Sequence, residues 1–138
     1  MAVGRGMDDG KTTFHDFKKL EVWQQCRDIR RLVWELCKRF PPDEKYRLSD
    51  QMIRVSRSPG ACIAEGYGRY YYQETIQYCR QARGSLYELL DHTETACDCG
   101  FMEGSSANEL DSKIRKAINT LNGYIRYLKK KKEADLSN

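Results

Sequence analysis

The residues with the greatest chemical reach are one histidine cluster, one cysteine pair and a scatter of arginines. His92 stands beside Asp91 and close to Glu94. A general base needs a partner that orients it and a substrate proton within hydrogen-bond reach. Side chains one or two positions apart on a helix do not face each other. This group therefore reads as a polar helix surface. Cys97-Asp98-Cys99 offers two sulfur ligands, with His92 upstream on the same segment. A structural zinc site needs four ligands at suitable spacing, and no second pair such as C-x-x-C follows. Gly4-Arg5-Gly6 and Gly10-Lys11-Thr12 lack the strand, spacing and helix of a phosphate-cradling loop. His15 falls near the N-terminus, away from all of these. The sequence predicts no enzyme, no metal site and no cofactor.

The arginines suggest binding. Arg54, Arg57, Arg69, Arg80 and Arg83 fall in the middle of the chain. Guanidinium forks grip phosphate oxygens through two parallel hydrogen bonds. The same groups pair as readily with Glu65, Glu74 and Glu88, so a structural role stands beside the binding one. Tyr67, Tyr70, Tyr71 and Tyr72 surround Arg69. Rings beside a cation stack unpaired bases. Tyrosine is also common at subunit interfaces, and the sequence reading prefers that role here. Lys129 and Lys130 open a lysine run that ends at Lys132. Such a run contacts a phosphate backbone with salt-sensitive affinity, or serves only as a solvated helix end.

Bulk charge permits such a partner without demanding it. The net charge is +4 over 138 residues. It is unevenly spread: residues 17–66 hold eleven Lys/Arg against seven Asp/Glu, and residues 67–100 hold three against five. One basic and one acidic side are expected. No apolar run approaches the roughly 18 residues that span a bilayer. Met1 to Thr13 has no apolar stretch of the secretory kind. A soluble cytoplasmic protein is expected. Cys26, Cys37, Cys62 and Cys79 fall inside helical stretches, three of them on apolar faces, where free cysteine acts as a small hydrophobe.

Four helical segments must position these residues. Val22, Cys26, Ile29, Val33, Leu36 and Phe40 recur at helical spacing. Leu32, Trp34 and Cys37 widen that stripe, and Arg27, Arg30, Arg31 and Lys38 take other faces. Pro41-Pro42 stops the segment. A second helix is predicted from about Ser49, its N-cap, to Gly66, with Leu48, Met52, Val55 and Cys62 inward and a kink at Pro59. A third carries Cys79, Ala82, Leu86, Leu89, Thr93 and Ala96, closed by a left-handed Gly100. Gly84 inside it implies a close helix approach, since glycine costs about 1 kcal/mol there. A fourth opens with a Ser106/Glu109 capping box and buries Leu110, Ile114, Ala117, Leu121, Tyr124 and Leu128. The predicted fold is an all-α, antiparallel up-down four-helix bundle over residues 17–132. Flexible tails are expected at 1–16 and 133–138.

Phe17 to Trp23 (FKKLEVW), Arg39-Phe40-Pro41, Gln51 to Arg54, Ile63-Ala64-Glu65-Gly66 with Gly68-Arg69, and Ala82-Arg83-Gly84-Ser85-Leu86 with Glu88-Leu89 form a combination. It resembles the four-helix-bundle proteins encoded in intervening sequences of bacterial 23S rRNA genes, over roughly residues 14–130. The resemblance implies a homopentamer. It also implies kinship with the accessory proteins of diversity-generating retroelements, basic bundles that bind nucleic acid and a reverse transcriptase. Three positions depart from the family pattern: Pro59 lies one residue early, Cys62 replaces Asn, and Tyr71 replaces the Ser or Thr that would cap the third helix. The expected function is a non-enzymatic homo-oligomeric module that binds RNA or DNA. The alternative is a protein-interaction adaptor, for example for a reverse transcriptase, with no nucleic-acid affinity of its own.

Overall fold

The computed structural model describes residues 16–137. The region expected as an N-terminal tail, with His15 and both glycine runs, lies outside the described residues except for Asp16. Asp16 accepts a hydrogen bond from the Lys18 amide at 2.7 Å and caps a short 3₁₀ turn, Phe17–Lys19. Four α-helices follow: α1, Glu21–Cys37; α2, Asp50–Tyr67; α3, Tyr72–Asp98; and α4, Gly104–Ser137. Each packs on its neighbour in the chain, and α4 closes back on α1. The result is the predicted antiparallel four-helix bundle, with no strand among the described residues.

Three of the four apolar stripes are buried as read. Val22, Cys26, Ile29, Val33 and Leu36 of α1 are buried, with Phe40 just beyond its end. The six predicted positions of α3 are all buried, as are those of α4 except Tyr124, which packs at the margin of the core. Burying one such Leu or Ile contributes about 1.5–3 kcal/mol. Trp34 departs from expectation. It does not widen the α1 stripe but stands 47% exposed.

The inward face of α2 also differs from the reading. Val55 and Cys62 are only half-buried, and the core side is Met52, Ser56, Pro59, Gly60, Ile63 and Gly66. Small residues let neighbouring backbones approach. A Cβ on Gly60 would stand 3.4 Å from the Trp23 indole nitrogen, and one on Gly66 would stand 2.8 Å from the Tyr78 Cβ. The close approach expected at Gly84 therefore occurs at Gly66: a Cβ on Gly84 would meet nothing within 4 Å. The helix runs through Pro59 as one element. The non-helical residue of this region is Arg47 (φ −112°, ψ −106°), in the π-helical turn Lys45–Ser49 ahead of α2.

Helix ends show where local chemistry was misread. Ser49 already has helical dihedrals and makes no cap hydrogen bond. The Glu44 carboxylate caps instead, accepting from the Leu48 amide at 3.3 Å. Ser106 lies inside the first turn of α4, which starts at Gly104, so the expected capping box does not form. Gly100 behaves as predicted. Its φ is +76°, and the Gly100 and Phe101 amides donate to the Cys97 and Ala96 carbonyls at 3.0 and 2.9 Å. That pair of bonds satisfies carbonyls left open at the end of α3. Phe101 then packs on Phe40 with ring centroids 5.7 Å apart. α4 continues past the lysine run to Ser137, through residues read from sequence as the start of a tail.

Candidate nucleic-acid interface

The predicted arginines do not share one surface. Arg54 and Arg57 follow one another on α2 but face different neighbours. Arg54 pairs with Asp50 at 3.3 Å and borders a recess toward Ser85 and Glu88 of α3. Arg57 points into the groove between α2 and α1. Arg80 is exposed and donates to Gln77 at 3.0 Å on its own helix. Arg83 is half-buried and donates to the Asn122 side chain at 2.7 Å, tying α3 to α4. Of the expected carboxylate partners, Glu65 is used by Arg69, while Glu88 lies 3.4 Å from His92 without forming a hydrogen bond.

Arg69 belongs to a closed network at the α2–α3 corner. Its guanidinium donates to Glu65 at 2.8 Å and to the Tyr78 hydroxyl at 2.6 Å, and Tyr78 donates to Glu65 at 2.8 Å. The guanidinium also sits over the Tyr78 ring, 5.0 Å from its centroid. The Tyr78 and Arg69 hydrogen bonds hold the Glu65 carboxyl below the usual carboxylate range. Its hydrogen bond to Glu65 pushes the Tyr78 hydroxyl up. Beneath the network, the Thr75 hydroxyl donates to the Gly66 carbonyl at 2.8 Å. Thus Glu65-Gly66 and Arg69 fasten the corner between two helices, and Ser85 adds a 2.9 Å hydroxyl contact to Ser58.

The tyrosines divide. Tyr72 is 8% exposed and belongs to the core of its own bundle. Tyr70 is 56% exposed and meets exposed Tyr71 edge-on, with centroids 4.9 Å apart. Tyr67 is half-buried beside them in sequence, at the end of α2. Tyr71 occupies the N-cap position of α3 and makes no side-chain cap hydrogen bond. Lys129 and Lys130 are exposed on α4. Further along the run, Lys131 lies 5.8 Å from the Tyr127 ring centroid and Lys132 donates to Gln73 of α3.

A groove that sequence reading did not single out gathers more positive charge. Two adjoining recesses of about 470 and 330 Å³ lie between α1, the 38–49 connection and α2, and share Trp34, Ile53 and Arg57. Their walls carry Arg30, Arg31, Lys38, Lys45 and Arg57 against two carboxylates, Glu35 and Asp50. Both carboxylates are engaged: Glu35 with Lys38 at 3.2 Å, Asp50 with Arg54 at 3.3 Å. Arg30, Arg31 and Arg57 have no ion pair among the described residues. Lys38 sits 5.8 Å from the Trp34 ring centroid, and Lys45 sits 5.3 Å from that of Tyr46. The sequence places Trp34 one turn beyond Arg30-Arg31, but its assignment to the apolar stripe of α1 hid the groove.

Among the described residues, no group of three or more His, Cys, Asp or Glu side chains is placed to hold a metal. Cys26, Cys37 and Cys79 are buried free thiols. Burial pushes Cys26 up to about 12 and Cys37 up to about 11, which makes both poor nucleophiles. No helix among the described residues is long and apolar enough to cross a membrane. No curated protein matches the chain. Residues 18–123 match the sequence profile of the 23S rRNA-intervening sequence protein family, which fits the bundle and its corner motifs, and the chain belongs to that family.

Proposed function

We propose that this protein is a non-enzymatic, homo-oligomeric helical bundle that binds RNA or DNA through basic residues. One observation carries the reading: Arg30, Arg31 and Arg57 line a single groove without carboxylate partners among the described residues. Arg31 and Arg57 are exposed and Arg30 is half-buried, so all three are accessible to a ligand, and phosphate oxygens satisfy the guanidinium fork geometry. Arg54, Arg80, Lys129 and Lys130 are exposed and add weaker, sequence-independent attraction. Arg69 and Arg83 are assigned mainly to holding helices together, through Glu65, Tyr78 and Asn122.

Assembly multiplies such contacts. Tyr67, Tyr70 and Tyr71 form the proposed subunit contact, with Tyr72 supporting it from the core. Several protomers that each hold a few phosphates bind far more tightly than one. The test is fluorescence anisotropy of labelled structured RNA and single-stranded DNA, from low to physiological salt. Saturable binding that is lost in Arg30→Glu/Arg57→Glu, and largely kept in Arg54→Glu/Arg83→Glu, is expected. Flat curves at low salt reject the reading. They favour the second one, a protein-interaction adaptor docking through its exposed rings, for which the exposure of Trp34 and Tyr70 speaks.

A further inference from the structure

The groove between α1 and α2 holds aromatic rings as well as cations, and that combination selects among nucleic acids. Trp34 is 47% exposed and Tyr46 83% exposed, both on the walls that carry the arginines. Apolar groups, Ile53 and Phe40 among them, continue the lining between the rings. We infer that this groove is a binding site for unpaired nucleotides, in which a base stacks on Trp34 while flanking phosphates meet Arg30, Arg31 and Arg57. The inference rests on the nucleic-acid reading above and narrows it to single strands.

Three physical points support the assignment. A paired base has both faces covered by its neighbours, so only an unpaired base can lie against an indole ring. Each part of the recess has the volume of a small-ligand pocket. A flat ring and one backbone enter such a space, whereas a duplex touches only its rim. The carboxylates there are already matched, Glu35 by Lys38 and Asp50 by Arg54. The remaining guanidinium charge is therefore open to an anion, and a neutral apolar helix would leave it unpaired.

The test compares a mixed-sequence RNA of roughly 12 nucleotides, a length within the usual span of single-strand sites, with the same RNA annealed to its complement. Wild-type protein is expected to bind the single strand about ten-fold or more tightly than the duplex, with quenching of tryptophan emission. Trp34→Ala is expected to lose about ten-fold in single-strand affinity, the usual worth of one stacked base, and to leave duplex affinity unchanged. Trp34→Phe keeps a ring and is expected to lose the quenching while retaining most of the affinity. This variant also guards against a folding defect in the alanine variant. Binding that is abolished by Arg30→Glu/Arg57→Glu but indifferent to Trp34 and to strandedness overturns the stacking inference alone. Absence of binding to both RNAs by the wild-type protein overturns the nucleic-acid reading with it.

Discussion

Gly66 and Tyr78 touch so closely that a Cβ on the glycine would lie 2.8 Å from the tyrosine Cβ. The neighbouring Thr75 backbone confines it further, though less severely, with its carbonyl oxygen 3.3 Å away. Neither obstacle is the free end of a side chain, so α2 and α3 must separate to admit even a methyl group. Gly66→Ala is expected to destabilise the bundle by about 1–3 kcal/mol, the usual cost of overpacking, despite alanine's better helix propensity. Urea unfolding followed by circular dichroism measures it.

Gly84 gives the opposite result from the same residue type. It lies in the interior of α3, where an added Cβ would meet nothing within 4 Å. Gly84→Ala is expected to stabilise by about 0.5–1 kcal/mol through helix propensity alone. A rise in the urea midpoint confirms it, and a fall means that another surface packs on this face.

The buried thiols set an alkaline limit. In the folded protein Cys26 is raised to about 12 and Cys37 to about 11 by burial, against an ordinary value of 9. The unfolded chain therefore releases these protons first as pH rises. Their contribution to stability is complete below pH 9 and is lost as pH climbs through the folded values. Each thiol is expected to steepen the loss of stability with pH within that window. Unfolding midpoints at successive pH values above 9 should fall more gently in Cys37→Ala than in the parent.

The exposed tyrosine pair provides a test of assembly. Under the proposed assembly, the wild-type protein is expected to sediment as an oligomer and Tyr70→Glu/Tyr71→Glu as a single protomer. Its nucleic-acid affinity should fall by about 10²-fold or more as avidity is lost. Helical content should remain, since both residues are exposed.

Much of the fold was legible because α1, α3 and α4 bury Leu, Ile, Val, Cys and Ala at regular spacing. α2 was not legible in the same way. Its inward face uses Ser56, Pro59, Gly60 and Gly66, which hydrophobic periodicity does not register. Caps failed for a related reason: Ser49 and Ser106 have suitable side chains, but whether they cap depends on where the helix begins. Of the predicted binding arginines, Arg57 lines the α1–α2 groove. Arg30 and Arg31 read as an ordinary polar face of α1, and only the packing of α2 beside them makes a groove. Glu65, Gly66 and Arg69 stood out in sequence, and their contacts account for them as a helix–helix fastening.

The central claim is that the α1–α2 groove binds nucleic acid through Arg30, Arg31 and Arg57. The most direct measurement is the salt dependence of single-strand RNA affinity in the wild-type protein and in Arg30→Glu/Arg57→Glu. Three phosphate contacts per protomer give a slope of about −2 in log affinity against log salt concentration, at roughly −0.7 per contact. The account predicts at least that slope for the wild type and a markedly shallower one, with weaker binding, for the variant. Equal slopes and equal affinities in the two proteins contradict it.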